Sequence, residues 1–382
     1  MLRWVFRGLA VVFGLVALVA GVLWTLTLPP LRPGQLAGYQ TLTITPSQRS
    51  EAVALHLWYP AEQDGIPRVI GQNANFKGAW AGEGASPLPG PNPLILIAQE
   101  AGWRAEGLSW LAAHLVTAGF AVAIPASPGL AAGGAGHDAT LRAGDLSAAL
   151  DRLITDPPKG LTVDTGRLDA VGIGIGGTAV LTLAGARLSR AETALTCASN
   201  LSAALHETDC QGFVVDGTDL LPPERTTPTE DRADPRLRRF ILANPTLIAA
   251  LDHSSLRDIK GRVMVLDLPD VTDTTLGWRG SAELRGLAGK IPLSGYEFLR
   301  DLDANSFRPE CTRLARIVTD FLPMNRMCRD RRFQLRQADV KGISLFVNIA
   351  AVFHQEDKEL DAIFRESNAR ARKATDGLLF GP

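Results

Sequence analysis

The stretch that decides the fold is residues 170–186, AVGIGIGGTAVLTLAGA. A strand-like apolar run over 168–171 enters a cluster of four glycines, and a helix-like run over 178–186 leaves it. The glycines are Gly172, Gly174, Gly176 and Gly177. The pattern predicts a buried strand, a tight turn and a helix in direct succession. Such a turn either cradles a phosphate or presents a side chain at its apex, and the surrounding sequence discriminates between these uses.

Two phosphate-binding interpretations are disfavoured. The Rossmann spacing G-x-G-x-x-G is matched, but that motif normally opens the first strand–helix unit and is followed by an acid about 20 residues later, at the end of a second strand. Here at least two strand patterns come first, and Glu192 lies in no strand pattern. A Walker loop requires G-K-S/T, which is absent after the glycines. A nucleotide-binding protein therefore stays only as a third hypothesis.

Strand and helix patterns alternate through the rest of the chain, which predicts an α/β fold with a mostly parallel sheet and helices on both faces. Residues 39–44 and 52–61 predict an antiparallel pair, and 62–93 and 127–137 predict loops. Further strands are predicted in 93–99, 121–126, 238–245, 262–270 and 295–302, and helices in 108–120 and 141–157.

The N-terminus differs in composition from the remainder. Residues 8–28 carry no charge, follow Arg3 and Arg7, and precede Pro29 and Pro30. At about 1.5 Å per residue this run spans a hydrocarbon core of about 30 Å, so we expect an uncleaved anchor in the cytoplasmic membrane, with a cleaved signal peptide as the alternative. The flanking arginines place the N-terminus in the cytoplasm and the soluble domain on the extracytoplasmic side.

We therefore expect an anchor in residues 1–30 and one domain in residues 31–382. Residues 29–38 read as a short tether. Residues 187–235 break the alternation and read as an insertion, and a helical extension begins at about residue 311.

Charge and cysteine content exclude several classes of function. The formal net charge is −1, and the short basic cluster at 329–332 is typical of a solvated face, which argues against nucleic acid as a partner. No C-x-x-C occurs, so we expect no zinc, and no motif predicts a cofactor. The four cysteines, Cys197, Cys210, Cys311 and Cys328, form two sequence-local pairs; in an exported domain either disulfides 197–210 and 311–328 or four thiols are compatible with this spacing.

Residues 39–330 resemble the dienelactone hydrolase-like and platelet-activating-factor-acetylhydrolase-like group of α/β-hydrolases. The resemblance rests on the order and spacing of several stretches. These are LHLWYPA (55–61), PLILIAQEAG (93–102), GFAVAIPASPG (119–129), AGDLSAALDRLITDP (143–157), VDTGRLDAVGIGIGGTAVLTLAGA (163–186) and FRPEC (307–311). It implies the α/β-hydrolase fold and a nucleophile elbow, G-x-S-x-G, over 172–176.

Carried over residue by residue, the resemblance implies a degenerate triad. The nucleophile falls on Gly174, after Ile173, and the base falls on Ala304 when Phe307 is aligned. The acid falls on Asp270, with Asp267 and Asp273 as alternatives. The oxyanion turn falls on Ala98, Gln99 and Glu100, and the D-H-P-G turn on residues 126–129.

This pattern predicts a protein without triad catalysis, because attack, proton transfer and oxyanion stabilisation all lack their usual groups. We expect Gln99, Glu100, Gly174, Ile175 and His137 to line a binding site for a partner protein, a lipid or a small apolar ligand. Four other residues are candidates to replace the missing catalytic groups, but the position of each in the sequence disfavours that role. They are Thr178, His137, His253 and Ser109. The alternative hypothesis is an active ester or lipid hydrolase with a non-standard site.

Overall fold

In the computed structural model, the described residues are 13–18, 21, 33–73, 78–100, 102–128, 134–189, 232–267 and 277–298. They form an α/β fold whose strands and helices alternate after an antiparallel N-terminal part. The strands are β1 (Ala37–Ile44), β2 (Val53–Tyr59), β3 (Ile66–Ile70), β4 (Ala79–Glu83), β5 (Pro91–Ala98), β6 (Ala121–Pro125), β7 (Thr162–Ile173), β8 (Arg239–Ala243), β9 (Arg262–Asp267) and β10 (Ser294–Phe298). The helices are α1 (Ser109–Thr117), α2 (Gly134–Thr155), α3 (Ile175–Leu183) and α4 (Gly277–Lys290).

The ten strands form one sheet in the order β10-β9-β8-β7-β5-β6-β2-β1-β4-β3. All neighbours from β10 to β6 are parallel, whereas β6 pairs antiparallel with β2 and β2 with β1. The predicted antiparallel pair and the mostly parallel sheet are therefore confirmed. Strand β7 lies between β5 and β8 and runs parallel to both. The carboxyl ends of the three strands therefore lie side by side, and the loops that follow them meet there.

Each face of the sheet carries its own apolar layer. Side chains of α2, α3 and α4 pack on one face, against alternate residues of the central strands such as Leu94, Leu96 and Ala98 of β5. Helix α1 packs on the other face, against Ile95 and Ile97 of the same strand. A strand covered on both faces is apolar throughout, which explains the continuous run PLILIA in the sequence.

The prediction of a loop over residues 62–93 is wrong. Strands β3 and β4 form an antiparallel pair at the sheet edge, and β4 also pairs parallel with β1. The first three residues of β3 are exposed and include Pro67 and Arg68. An edge strand with one solvated side carries no apolar alternation, so nothing local in the sequence marks it as a strand.

The second predicted loop is also too long, because α2 begins at Gly134 rather than at residue 141. Helix α3 likewise begins at Ile175, three residues before the predicted start, directly after the glycine turn. Helix α2 ends two residues before Pro157, as the sequence predicts. In both helices the first turn contains glycine. Helix propensity disfavours glycine, so the sequence predicts a later start for each helix.

The ends of the predicted insertion are joined to the domain. The Ser189 amide donates to Ala250 O at 2.6 Å, and the Asp234 amide donates to Leu183 O at 2.9 Å. Residues 190–231, all four cysteines and the extension from residue 311 lie outside the described residues. Among the residues that the structure describes, none belongs to a helix that is long and apolar enough to cross a bilayer. Of the expected anchor, residues 13–18 and 21 are described and are helical and exposed.

Candidate functional site

The glycine turn connects β7 to α3 through one residue in an unusual conformation. Gly174 has φ 57° and ψ −122° and is the residue before the first turn of α3. Its amide donates to Ala243 O of the neighbouring strand at 2.9 Å, so the turn is fixed to the sheet. This φ lies in the left-handed region. L-residues adopt this region only with strain, whereas glycine enters it without a Cβ penalty.

The glycines around Gly174 are required by close backbone approach. A Cβ on Gly172 would overlap the Gly176 carbonyl, and a Cβ on Gly176 would overlap the carbonyl of Ala98 on β5. A Cβ on Gly177 would lie 3.0 Å from the Pro245 Cβ. These contacts pack the helix start against the strand ends, which is the role of the outer glycines in G-x-S-x-G. The turn therefore keeps the packing of a nucleophile elbow with glycine at its apex.

The side chain of Glu100 fills the space above that apex. A Cβ built on Gly174 would overlap the Oε2 atom of Glu100. Its Oε1 atom accepts a hydrogen bond from the Ile175 amide at 3.4 Å. The family resemblance implies that Glu100 belongs to the oxyanion turn. The structure places its carboxylate where the side chain of an elbow nucleophile would begin, on the amide that serves as an oxyanion donor in this motif. Glu100, Gly174 and Ile175 thus form one site.

Gln99 precedes this carboxylate and is almost completely buried, with 1% of its surface exposed. Neither polar atom of its side-chain amide has a hydrogen-bond partner. Its backbone carbonyl accepts from Arg142 at 3.4 Å. Arg142 also donates to Asp138 at 2.6 Å and to the carbonyl of Pro128 at 3.0 Å, and it too is buried. This arginine, which sequence reasoning did not single out, joins α2 to the loops after β5 and β6.

His137 lies at the start of α2, next to Asp138. Burial lowers its pKa below the ordinary histidine value, and the negative charge of Asp138 opposes that shift. Its Nδ1 atom is buried without a hydrogen-bond partner. A neutral imidazole of this kind has base character. The expectation that His137 lines the site at the turn stays a prediction.

The loop that follows β8 supports the turn from the opposite side. The Thr246 amide donates to Gly174 O at 3.3 Å, and Thr178 Oγ1 donates to Thr246 O. Asn244 and Leu247 both have positive φ, of 45° and 55°. Thr178 is fully buried and bound to this loop, so it supplies hydrogen bonding rather than a nucleophile. Apart from the Asn244-Pro245 pair, nothing in the local sequence indicates that this loop is hydrogen-bonded to the glycine turn. The hydrogen bonds depend on the pairing of β7 with β8.

Of the candidate acids, Asp267 is described. It ends β9, is buried, and accepts a hydrogen bond from Tyr296 Oη at 2.6 Å, which fixes its carboxylate. Asp270, Asp273 and Ala304 lie outside the described residues. His253 lies 2.9 Å from Lys290 Nζ, and Ser109 is buried at the start of α1. Within the described part of the chain, no group of three or more His, Cys, Asp or Glu side chains is placed to hold a metal ion.

Comparison with known proteins finds similarity in structure alone. No family profile matches the sequence, and no curated protein is similar to it. The ferulic acid esterase from Streptomyces cinnamoneus superposes with a TM-score of 0.53 at 17% identity, covering 86% of this chain and 92% of the esterase.

Two dienelactone hydrolase-like proteins are also similar. One is the dienelactone hydrolase from Anabaena variabilis ATCC 29413, with a TM-score of 0.36 and 11% identity over 69% of this chain and 85% of that protein. The other is the dienelactone hydrolase-like promiscuous phosphotriesterase P91 from metagenomic libraries, with a TM-score of 0.43 and 14% identity over 84% and 98%. The similarity to the ferulic acid esterase, at a TM-score of 0.53 and 17% identity, shows a shared fold.

Proposed function

We propose that this chain, which has the α/β-hydrolase fold of the dienelactone hydrolase-like proteins, is a membrane-anchored binding protein without triad catalysis. Its site is the glycine turn with Gln99, Glu100, Gly174 and Ile175. Its ligand is a small apolar molecule, and a partner protein or a lipid at the same surface are the competing outcomes.

The observation that carries this proposal is the Glu100 carboxylate above Gly174. Acyl transfer at an elbow needs a hydroxyl or thiol at the apex and free amide donors for the developing negative charge. Gly174 supplies no side chain, and the Ile175 amide already donates to a carboxylate oxygen. A negative charge at that position opposes an oxyanion instead of stabilising it. Two requirements of the mechanism are therefore missing at one place.

The anchor is supported by composition and exposure. Residues 8–28 are uncharged, and the helical residues 13–18 expose large apolar side chains, among them Phe13 at 78% and Leu18 at 65%. Apolar side chains on the outside of a helix suit a lipid environment. We expect the domain after this segment to lie on the extracytoplasmic side of the membrane.

Hydrolysis is tested with the detergent-solubilised full chain and p-nitrophenyl acetate, beside an unrelated membrane protein purified in the same way. We expect no saturable turnover above that background and no labelling by a fluorophosphonate probe. Turnover that survives repurification, with a labelled serine located by mass spectrometry, would show an active hydrolase and identify its nucleophile.

The anchor is tested in cells that express the full chain. The protein should remain in the membrane fraction after a carbonate wash, and protease added to intact spheroplasts should digest the domain. Protection of the domain until lysis would reverse the orientation. Release by the wash, with an N-terminus inside 8–28, would show a cleaved signal peptide instead.

A further inference from the structure

We propose that the edge of the sheet at which β8, β9 and β10 begin is an interaction surface that lies on an anionic membrane surface and holds the glycine turn away from the bilayer. This inference rests on the proposed function, because it assumes the membrane anchor. It depends on three features of the domain: the charge of this edge, an exposed leucine within it, and the place where the tether joins the sheet.

The chain segments that lead into β8, β9 and β10 meet at this edge and are mostly basic. The Arg262 amide at the start of β9 donates to Arg238 O at 2.9 Å, and the Val263 amide donates to Leu293 O at 3.0 Å. The basic edge consists of residues 238, 257–262 and 290–293. It contains one acidic residue, Asp258, and five basic residues, which are Arg238, Arg257, Lys260, Arg262 and Lys290.

Much of this charge is not neutralised by acids. Within the described part of the chain, the exposed side chains of Arg238, Arg257 and Lys260 form no ion pair. By contrast, the neighbouring Arg239 pairs with buried Asp169 at 2.9 Å. An arginine that supports the packing of the sheet is thus paired, whereas these three side chains present their charge to solvent. Such a surface attracts anions, and the headgroups of anionic lipids present them as a dense plane.

An exposed leucine lies next to these charges. Leu293 is 45% exposed and follows the exposed Pro292 in the turn between α4 and β10. Single exposed apolar residues are common on protein surfaces, so the leucine alone would carry no inference. Beside basic side chains, however, it can insert between headgroups that those side chains bind. A nucleic acid uses the charge without the apolar contact, so the combination favours a membrane.

The tether joins the sheet at the same edge. Strand β1 runs in the direction of β8 and β9, because it is antiparallel to β2, which is antiparallel to β6. Leu36, directly before β1, is buried, and its amide donates to Gln63 Oε1 at 2.9 Å. The eight residues from the end of the expected anchor at residue 28 to Leu36 span at most about 28 Å. Strand β8 lies five positions from β1 in the sheet, or about 24 Å away, so a tether of this reach lets the basic edge rest on the same bilayer.

The glycine turn lies at the opposite edge of the sheet. Gly174 follows the carboxyl end of β7, and a strand of six residues such as β9 is about 20 Å long. With the basic edge on the membrane, the turn faces the aqueous phase, and its ligand arrives from water. The inference therefore favours the small-molecule form of the proposed function over the lipid form.

The experiment introduces the photo-reactive residue p-benzoylphenylalanine in place of Leu293 and, as the control, in place of Ile66 in the full-length chain. Ile66 is 68% exposed on the edge strand β3 and lies outside the basic edge. Each protein is reconstituted into nanodiscs of phosphatidylcholine with or without phosphatidylglycerol, and lipid adducts are located by mass spectrometry. We expect adducts at position 293 in the anionic discs. The yield at position 66, and at position 293 in neutral discs, should be at least about 5-fold lower, since one basic side chain at an anionic surface contributes a factor of about 5.

Charge variants test the cause of this contact. Arg238→Gln with Lys260→Gln should lower the yield at position 293 at least about 5-fold, and so should NaCl at about 0.5 M, which shortens the screening length to about 4 Å. The control, Arg68→Gln with Arg104→Gln, makes the same charge change on exposed side chains outside the basic edge and should leave the yield unchanged. The salt arm acts on the unaltered charges, so it gives the answer if the double variant does not fold.

Equal yields in both lipids, equal yields at positions 293 and 66, or an adduct to a second copy of the chain in place of lipid would overturn the inference. The anchor is tested separately, by flotation of the full chain with vesicles of the same two compositions. Flotation with both lipids, without a lipid adduct at position 293, keeps the anchor and refutes the role of the basic edge. Flotation with the anionic vesicles alone, lost in salt, refutes the anchor and supports the basic edge. Flotation with neither refutes both.

Discussion

Replacing Gly174 by serine restores the side chain that an elbow nucleophile would have, and the structure predicts the cost. The new Cβ enters a backbone conformation with φ 57°, and it overlaps the Glu100 carboxylate. Two separate penalties therefore act on the folded state. One is strain in the backbone at residue 174, and the other is expulsion of Glu100 from the Ile175 amide.

The strain term is about 1–3 kcal/mol for a non-glycine residue in such a region. Loss of the long hydrogen bond to Glu100 adds about 1 kcal/mol, near the low end for a bond to a charged group. The serine hydroxyl can cap α3, but glycine is itself a tolerated cap residue, so the offset is only a few tenths of a kcal/mol. We expect Gly174→Ser to lower the unfolding free energy by about 2–3 kcal/mol, which is a Tm decrease of about 3–4 °C for a domain of this size.

Urea and thermal unfolding of four variants separate the two terms. Gly84 has φ 68° and is exposed, and a Cβ there meets nothing within 4 Å, so Gly84→Ser measures strain alone. In a Glu100→Ala background the Gly174→Ser change should cost about 1 kcal/mol less than in the wild type, a coupling expected for residues in contact. Identical costs in both backgrounds would falsify the placement of Glu100 above Gly174. A cost below that of Gly84→Ser would contradict the elbow conformation. No esterase activity should return.

Other perturbations test the surrounding structure. Gly172→Ala drives a Cβ into the backbone of residue 176 and should cost about 3 kcal/mol or more in urea unfolding, whereas Gly107→Ala, with nothing within 4 Å, should change stability by less than about 0.5 kcal/mol. Arg239 donates two hydrogen bonds of 2.9 Å to buried Asp169, so Arg239→Met should cost about 3–5 kcal/mol, and the double variant with Asp169→Asn should recover most of it. Burial raises the pKa of Asp169 to about 6, above the ordinary 3.8. Its contribution to the unfolding free energy is therefore full at low pH and is lost as the pH rises through about 6. A plot of unfolding free energy against pH for Asp169→Asn should lack this decrease. Burial lowers the pKa of His56 below the ordinary 6.5. Because the folded state favours the neutral imidazole, the contribution of His56 to the unfolding free energy is lost as the pH falls through 6.5. The unfolding free energy of His56→Gln should therefore fall less than that of the wild type between about pH 7 and about pH 5.5.

Local signals in the sequence were sufficient for the elements that lie in the centre of the fold. Apolar runs predicted β5, β6, β8, β9 and residues 168–171 of β7, because these segments are buried on both faces. The first half of β7 is exposed or half-buried and was not predicted. The stop of α2 before Pro157 and the turn at Gly174 follow from backbone restrictions that each residue carries with it. The edge strands β3 and β4 were missed. Their strand conformation comes from pairing of β4 with β1 and of β3 with β4, and exposed residues such as Arg68 leave no pattern along the chain.

The sequence by itself determined that the apex of the turn is a glycine and that the turn therefore lacks a nucleophile. The family resemblance also placed Glu100 in the oxyanion turn, after a buried strand. Only the tertiary structure decided that the two residues share one space. Ala98 of β5 lies opposite Gly172 of β7 in the parallel register, and this pairing brings Glu100 over Gly174 and onto the Ile175 amide. Contacts across 74 positions depend on strand order and register, which no local pattern encodes, and the chemistry of this site follows from such a contact.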